Sequence, residues 1–189
     1  MTGPGSRRTF IALELPAEAR ELIGREQDRL RRELPRARWT RPEGQHLTLK
    51  FLGDTPGPVV AELAAALAEV AAGRSPTVVT LGGSGFFPGP ERPRVAWVGG
   101  RAPGAGELAA AVDGAAVAAG LAAERRPWSL HLTQARLERP WPPAAVEQYL
   151  EWGRGFAAPP FACAEIVIFA SELRPGGAVY TPLERVPLR

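Results

Sequence analysis

His46-Leu47-Thr48-Leu49-Lys50-Phe51-Leu52-Gly53 opens with a triplet that the chain repeats once, as His131-Leu132-Thr133, and the two triplets hold its only two histidines. Apolar residues flank both, as expected of strands. Successive strand side chains point to opposite faces, so His46 shares a face with Thr48, and His131 with Thr133. Each triplet offers an imidazole and a hydroxyl in one direction. A lone strand histidine is usually structural, but two in one setting imply two strands with a shared task. If they lie side by side, both rings face one cleft as an acid–base pair, because histidine titrates near neutral pH. The threonine hydroxyls suit the non-bridging oxygens of a phosphoryl group. The chemistry suggested is phosphodiester cleavage.

The chain of 189 residues is 45% hydrophobic, enough for a substantial core. The formal net charge is only +3, and Lys50 is the sole lysine among 23 Lys and Arg. Arginine is suited to bidentate phosphate contacts, although a GC-rich genome produces the same bias. Cys163 is the only cysteine, which excludes an intrachain disulfide and a cysteine-rich metal site, reads as a cytoplasmic protein, and fits a small buried hydrophobe in a strand. Two histidines, one cysteine and no clustered carboxylates around the triplets supply no zinc or two-metal ligand set, so no metal or other cofactor is expected. The start has no apolar core of a signal peptide, and no apolar run spans a bilayer. No membrane partner is expected.

Outward from the triplets the pattern predicts alternating strands and helices. Residues 1–7 read as a flexible tail, Thr9 to Leu15 as a buried strand ended by Pro16, and Ala17 to Leu34 as an amphipathic helix stopped by Pro35. Arg36 to Arg41 is a short strand or arm around Trp39, before the first triplet. A helix from Pro58 to Gly73, strands at Thr77 to Leu81 and Arg94 to Val98 with a Gly82 to Pro93 loop between them, and a helix over Glu107 to Ala119 follow. After the second triplet, Pro142-Pro143 opens a fourth helix ending near Gly153 or Gly155, Phe161 to Phe169 forms a long strand, and Gly176-Gly177 turns a terminal hairpin. Strand, helix, His-Leu-Thr strand, helix occurs twice, which argues for an α+β fold of two pseudo-symmetric, intertwined lobes in a single domain.

The paired triplets resemble the His-x-Thr motifs of the two-histidine (2H) phosphoesterase superfamily, most closely its RNA 2′,3′-cyclic phosphodiesterase family, also called 2′-5′ RNA ligase. The likeness includes Arg8-Thr9-Phe10-Ile11-Ala12, the Trp39 arm, Gly85-Phe86-Phe87-Pro88 and the closing strand from Ser171 to Tyr180. It implies a bilobal fold in which two antiparallel sheets face each other across a central cleft with helices outside. It implies hydrolysis of terminal RNA 2′,3′-cyclic phosphate to 2′-phosphate; a small cyclic nucleotide is an alternative substrate for the same cleft chemistry, and a monomer is expected. His46 and His131 become the acid–base pair, with His131 activating water and His46 protonating the leaving O3′, and Thr48 and Thr133 the phosphate ligands. Gln134 departs from the large aliphatic residue usual after the second threonine.

Arg136 matches a frequent family arginine, and its alternatives are a phosphate contact or a structural ion pair. Strict alternation from His131 turns it away from the cleft, unless the strand bulges. Lys50 counts onto the His46 face, as a phosphate contact or a solvated strand-end lysine. Trp39, Phe87 and Tyr180 could stack on a nucleobase, and Phe87, in a Gly/Pro-rich loop, is favoured. Two other functions fit the triplets: ATP-independent ligation by reversal of the same chemistry, and non-catalytic RNA or nucleotide binding on the same fold. An ATP-dependent ligase is excluded, because the chain has no phosphate-binding Gly-x-x-x-x-Gly-Lys loop and Lys50-Phe51-Leu52-Gly53 lacks the aspartate of Lys-x-Asp-Gly.

Overall fold

The computed structural model describes residues 6–174 and 177–189. Strand β1 (Ser6–Glu14) leads into helix α1 (Ala17–Glu33), and β2 (Arg38–Trp39) leads through a 3-10 turn at Pro42–Gly44 into β3 (His46–Pro56). Helix α2 (Gly57–Ala71), strands β4 (Thr77–Phe87) and β5 (Val95–Arg101) and helix α3 (Ala105–Ala118) precede β6 (Leu132–Arg136). Helix α4 (Pro143–Gly155) and strands β7 (Phe161–Cys163), β8 (Glu165–Arg174) and β9 (Gly177–Pro187) complete the chain.

The strands form two antiparallel sheets, β3-β1-β8-β9 and β2-β6-β5-β4-β7. The α+β reading is the observed class. The triplets occupy matching places, at the start of β3 and where the chain enters β6. Strand β1 is buried on both faces. Its Ile11 and Leu13 join the main core with Leu63 and Leu67 of α2 and Leu108 and Val112 of α3, whereas Phe10 and Ala12 pack with Val167 and Phe169 on the opposite face.

The helices exchange sides. Helix α1 follows a strand of the first sheet, yet Leu30 and Leu34 beyond it pack with α4 against Phe86, Ala96 and Ala135 of the second. Helix α3 follows a strand of the second sheet and packs with α2 on the first. Proline placement explains several boundaries: Pro16, Pro56 and Pro142 sit just before helices, and α1 stops before Pro35. Among the described residues no helix is long and apolar enough to cross a membrane.

Three local expectations change. Residues 1–5 lie outside the described residues, but Ser6 and Arg7, read as tail, pair with Pro56 and Thr55 in β1–β3. The loop expected from Gly82 is strand as far as Phe87: Gly82 and Gly83 form an irregularity, with φ +73° at Gly83, and pairing resumes at Ser84. The strand expected over Phe161 to Phe169 divides at Ala164, because β7 pairs with β4 in one sheet and β8 with β1 in the other. The terminal hairpin pairs Arg174 with Gly177, and Gly176 of its expected turn lies outside the described residues.

Candidate active site

Both triplets line one cleft of about 940 Å³, together with Phe10, Phe51, Phe87, Arg126, Arg136 and Tyr180. The imidazoles are held alike. His46 Nδ1 lies 2.8 Å from the carbonyl oxygen of Gly44, and His131 Nδ1 lies 3.0 Å from that of Ser129, each two residues upstream. A carbonyl can only accept, so each Nδ1 carries the proton and each neutral ring keeps a bare Nε2. An aromatic edge fixes each ring further. Tyr180 meets His46 at 5.0 Å and 89°, and Phe87 meets His131 at 5.0 Å and 90°.

The surroundings of His46 set its charge. Its ring stands 4.6 Å from that of Phe10 and 6.1 Å from that of Phe169, and desolvation lowers its pKa from 6.5 to about 4. The bond to Gly44 opposes this, and the positive charges of His131 and Arg136 add to the lowering. The free protein therefore holds His46 neutral at neutral pH.

One residue after each threonine, the strand bulges. In β1–β3, Ala12 pairs with Thr48 and Ile11 with Lys50, so Leu49 is unpaired. In β5–β6, Trp97 pairs with Thr133 and Ala96 with Ala135, so Gln134 is unpaired. Each inserted residue reverses the alternation that follows. Thr133 and Arg136 consequently share a face, and Arg136 lines the cleft, against the direction that strict alternation predicts. Gln134, the departure from the family pattern, is this bulge: its side chain is buried, and its carbonyl accepts from the Thr40 backbone N–H at 2.8 Å and from Gln27 Nε2 at 3.2 Å.

The first bulge corrects the reading of Lys50. It turns this residue to the helix-facing side with Ile11, where only 3% of it is exposed. Its ammonium bonds the Asp113 carboxylate of α3 and, at 2.7 Å, the carbonyl of Ala122. Asp113 also accepts from the Glu124 backbone N–H at 2.9 Å, so Lys50 ties β3 to α3 and to the segment leading into the second triplet. Nearby, Trp128 Nε1 donates to the Thr48 carbonyl at 2.9 Å. Lys50 thus borders the cleft as a paired, buried side chain, and the next residue, Phe51, projects into it, 59% exposed and 6.1 Å from Phe10. Alternation hid Phe51, although its offset from Thr48 equals that of Arg136 from Thr133.

Of the other aromatics, Phe87 is 39% exposed and lines the cleft, and Tyr180 stands over His46. Trp39 is not in the cleft: it packs on Trp141 at 6.2 Å, with the Arg31 guanidinium 5.9 Å over its ring. Cys163 is buried, which pushes its thiol up to about 12.

Residues 13–97 match the family described as LigT like Phosphoesterase, a span that holds the first triplet. A Thermus thermophilus RNA 2',3'-cyclic phosphodiesterase is 33% identical over 192 residues, covering 96% of this chain and 90% of that protein. One from Geobacillus stearothermophilus is 34% identical over 87% of this chain, which spans about half (52%) of that relative's length. A crystal structure of a Thermus thermophilus protein superposes with TM-score 0.79 at 28% identity, covering 96% of this chain and 98% of the other. E. coli LigT complexed with 3'-AMP gives TM-score 0.69 at 27% identity, covering 97% and 98%. With such identity over nearly the full length of both proteins, and both triplets on one cleft, the chain belongs to the family of LigT-like phosphoesterases.

Proposed function

We propose that this cleft hydrolyses the terminal 2′,3′-cyclic phosphate of RNA to a 2′-phosphate, without a metal ion and with the protein acting as a monomer. The names of its relatives support the substrate class. The observation that carries the chemistry is the matched pair of imidazoles, each with Nδ1 bonded to its own backbone and Nε2 left to act. Water attacks phosphorus and gives its proton to His131 Nε2. The P–O3′ bond breaks, and O3′ takes a proton from His46 Nε2. Thr48 and Thr133 donate hydroxyls to the non-bridging oxygens, and Arg136 offsets the charge that gathers there. Phe87 presents its exposed ring to the base.

This assignment needs His46 charged, although the free protein keeps it neutral. The phosphate anion supplies the missing countercharge, so the acid forms as substrate binds. Metal independence draws support from the described residues, in which no three His, Cys, Asp or Glu side chains cluster as a metal site.

The test is product analysis on a short RNA ending in 2′,3′-cyclic phosphate, with EDTA present. A 2′-phosphate should form, and His46→Ala and His131→Ala should each lose roughly 10²–10⁴ in turnover. Activity abolished by chelation and restored by a divalent ion would overturn the metal-free mechanism. Near-normal turnover by either variant would remove that histidine from the pair. A substrate with a good leaving group needs no acid and should rescue His46→Ala alone, whereas rescue of His131→Ala alone exchanges the two roles.

A further inference from the structure

Arg38 of β2 and Arg136 of β6 are directly opposite in the ladder, so they share a face. The bulge at Gln134 has already placed Arg136 on the cleft face. Arg38 therefore looks the same way, while the adjacent Trp39 turns to Trp141 on the helix side. Like charges so paired repel unless an anion lies between or over them. Glu138 is the carboxylate at hand, accepting from Arg38 Nε at 2.7 Å. It serves more than one cation: after Arg38, the charges of Arg36 and Arg139 also hold its carboxyl below the usual range.

Three exposed guanidiniums, those of Arg36, Arg38 and Arg139, thus gather near one carboxylate, and the exposed Arg136 stands opposite Arg38 in the ladder. Among the described residues Arg36, Arg136 and Arg139 make no ion pair. Even Arg38 uses only its Nε, leaving the fork of terminal N–H donors that fits a phosphate. β2 is the edge strand of its sheet, so the patch begins at the cleft, at Arg136, and continues outward along that edge.

We propose that this basic face takes the phosphodiester backbone of the nucleotides 5′ of the cyclic end, so that the preferred substrate is an RNA strand and not a cyclic mononucleotide. The inference rests on the function proposed above, with the cleft holding the terminal phosphate and the patch the phosphates upstream. Backbone contacts of this kind carry no base sequence but weaken steeply with salt.

The experiment compares kcat/KM for 2′,3′-cyclic AMP and for a short RNA ending in 2′,3′-cyclic phosphate, between about 50 and 200 mM salt. The wild type should favour the RNA, by a margin that shrinks as salt rises. Arg36→Ala/Arg38→Ala/Arg139→Ala should lose about tenfold or more on the RNA, and its salt slope should fall by roughly 0.7 for each contact removed. Its rate on the mononucleotide should hold. The corresponding triple Lys variant should keep most of the RNA preference, which separates charge from folding. No RNA preference in the wild type, or equal losses on both substrates, overturns the inference and leaves the hydrolytic function standing. If the wild type cleaves neither substrate, the proposed function fails, and anisotropy of a labelled RNA ending in 2′-phosphate decides the patch: weaker binding by the triple Ala variant supports it, and unchanged binding overturns it.

Discussion

Burial among Phe10, Phe169 and Tyr180 removes water from the His46 imidazolium more than the Gly44 carbonyl restores, and its pKa falls from 6.5 to about 4. The sign for stability follows. Between those values the unfolded chain binds a proton that the folded chain does not, so His46 subtracts stability as pH falls through that window. The consequence for activity is separate. kcat/KM reports the free protein and kcat the bound complex, and an anion beside His46 favours its charged form. The acid limb of kcat/KM should therefore reach down towards pH 4, and that of kcat should lie at higher pH, both as macroscopic values of the histidine pair. Imidazole NMR resonances provide the direct check: His46 should titrate near 4 in the free protein and at higher pH with a 2′-nucleotide bound. Titration near 6.5 without ligand would remove the burial argument.

At the scale of strands and helices, the triplets were legible because His46 with Thr48 and His131 with Thr133 need only one alternation. Everything beyond them depended on parity, and one inserted residue in each strand reversed it. Leu49 and Gln134 carry no local signature of a bulge, being set by pairing with β1 and β5. Arg136 thus came to the cleft and the Lys50 ammonium turned to Asp113, while Phe51 went unnoticed. The same reversal makes Lys50 a link between β3 and α3, and it gives the two partners of that link unequal weight. Lys50 is buried, whereas the Asp113 side chain keeps 26% exposure. Asp113→Ala strands a buried ammonium and should cost about 3–5 kcal/mol, the usual penalty for breaking a buried pair from one side. Lys50→Met leaves a carboxylate that water can reach, and it should cost less. Urea unfolding of the two variants measures the difference, and equal losses would mean that the Lys50 charge is not what the pair serves to compensate.

For the molecule as a whole, alternating strands and helices announced α+β, and repetition of the triplet announced two related lobes. The exchange of helices between sheets was not legible, because amphipathic helices such as α1 and α3 state which face is buried and not against which sheet. That exchange bears on whether the lobes are separable. Cores that include α1, α2, α3 and strands of both sheets argue for one cooperative unit, which we propose and which a lobe-specific probe can test. Trp39, Trp97, Trp128, Trp141 and Trp152 are all of the tryptophans, and none lies on α2, α3 or the four-stranded sheet. Trp128 reaches across, donating to the Thr48 carbonyl of β3, so with Trp128 replaced by Phe fluorescence reports the five-stranded side. Leu63 of α2 is fully buried against the other sheet, and Leu63→Ala should cost about 2–5 kcal/mol. If the lobes unfold together, the substitution moves the urea midpoint of tryptophan fluorescence as far as that of far-UV circular dichroism. A fluorescence midpoint that stays at the value of the Trp128→Phe parent while the dichroism transition splits would show two units joined by a cleft, and the single-domain reading would fall.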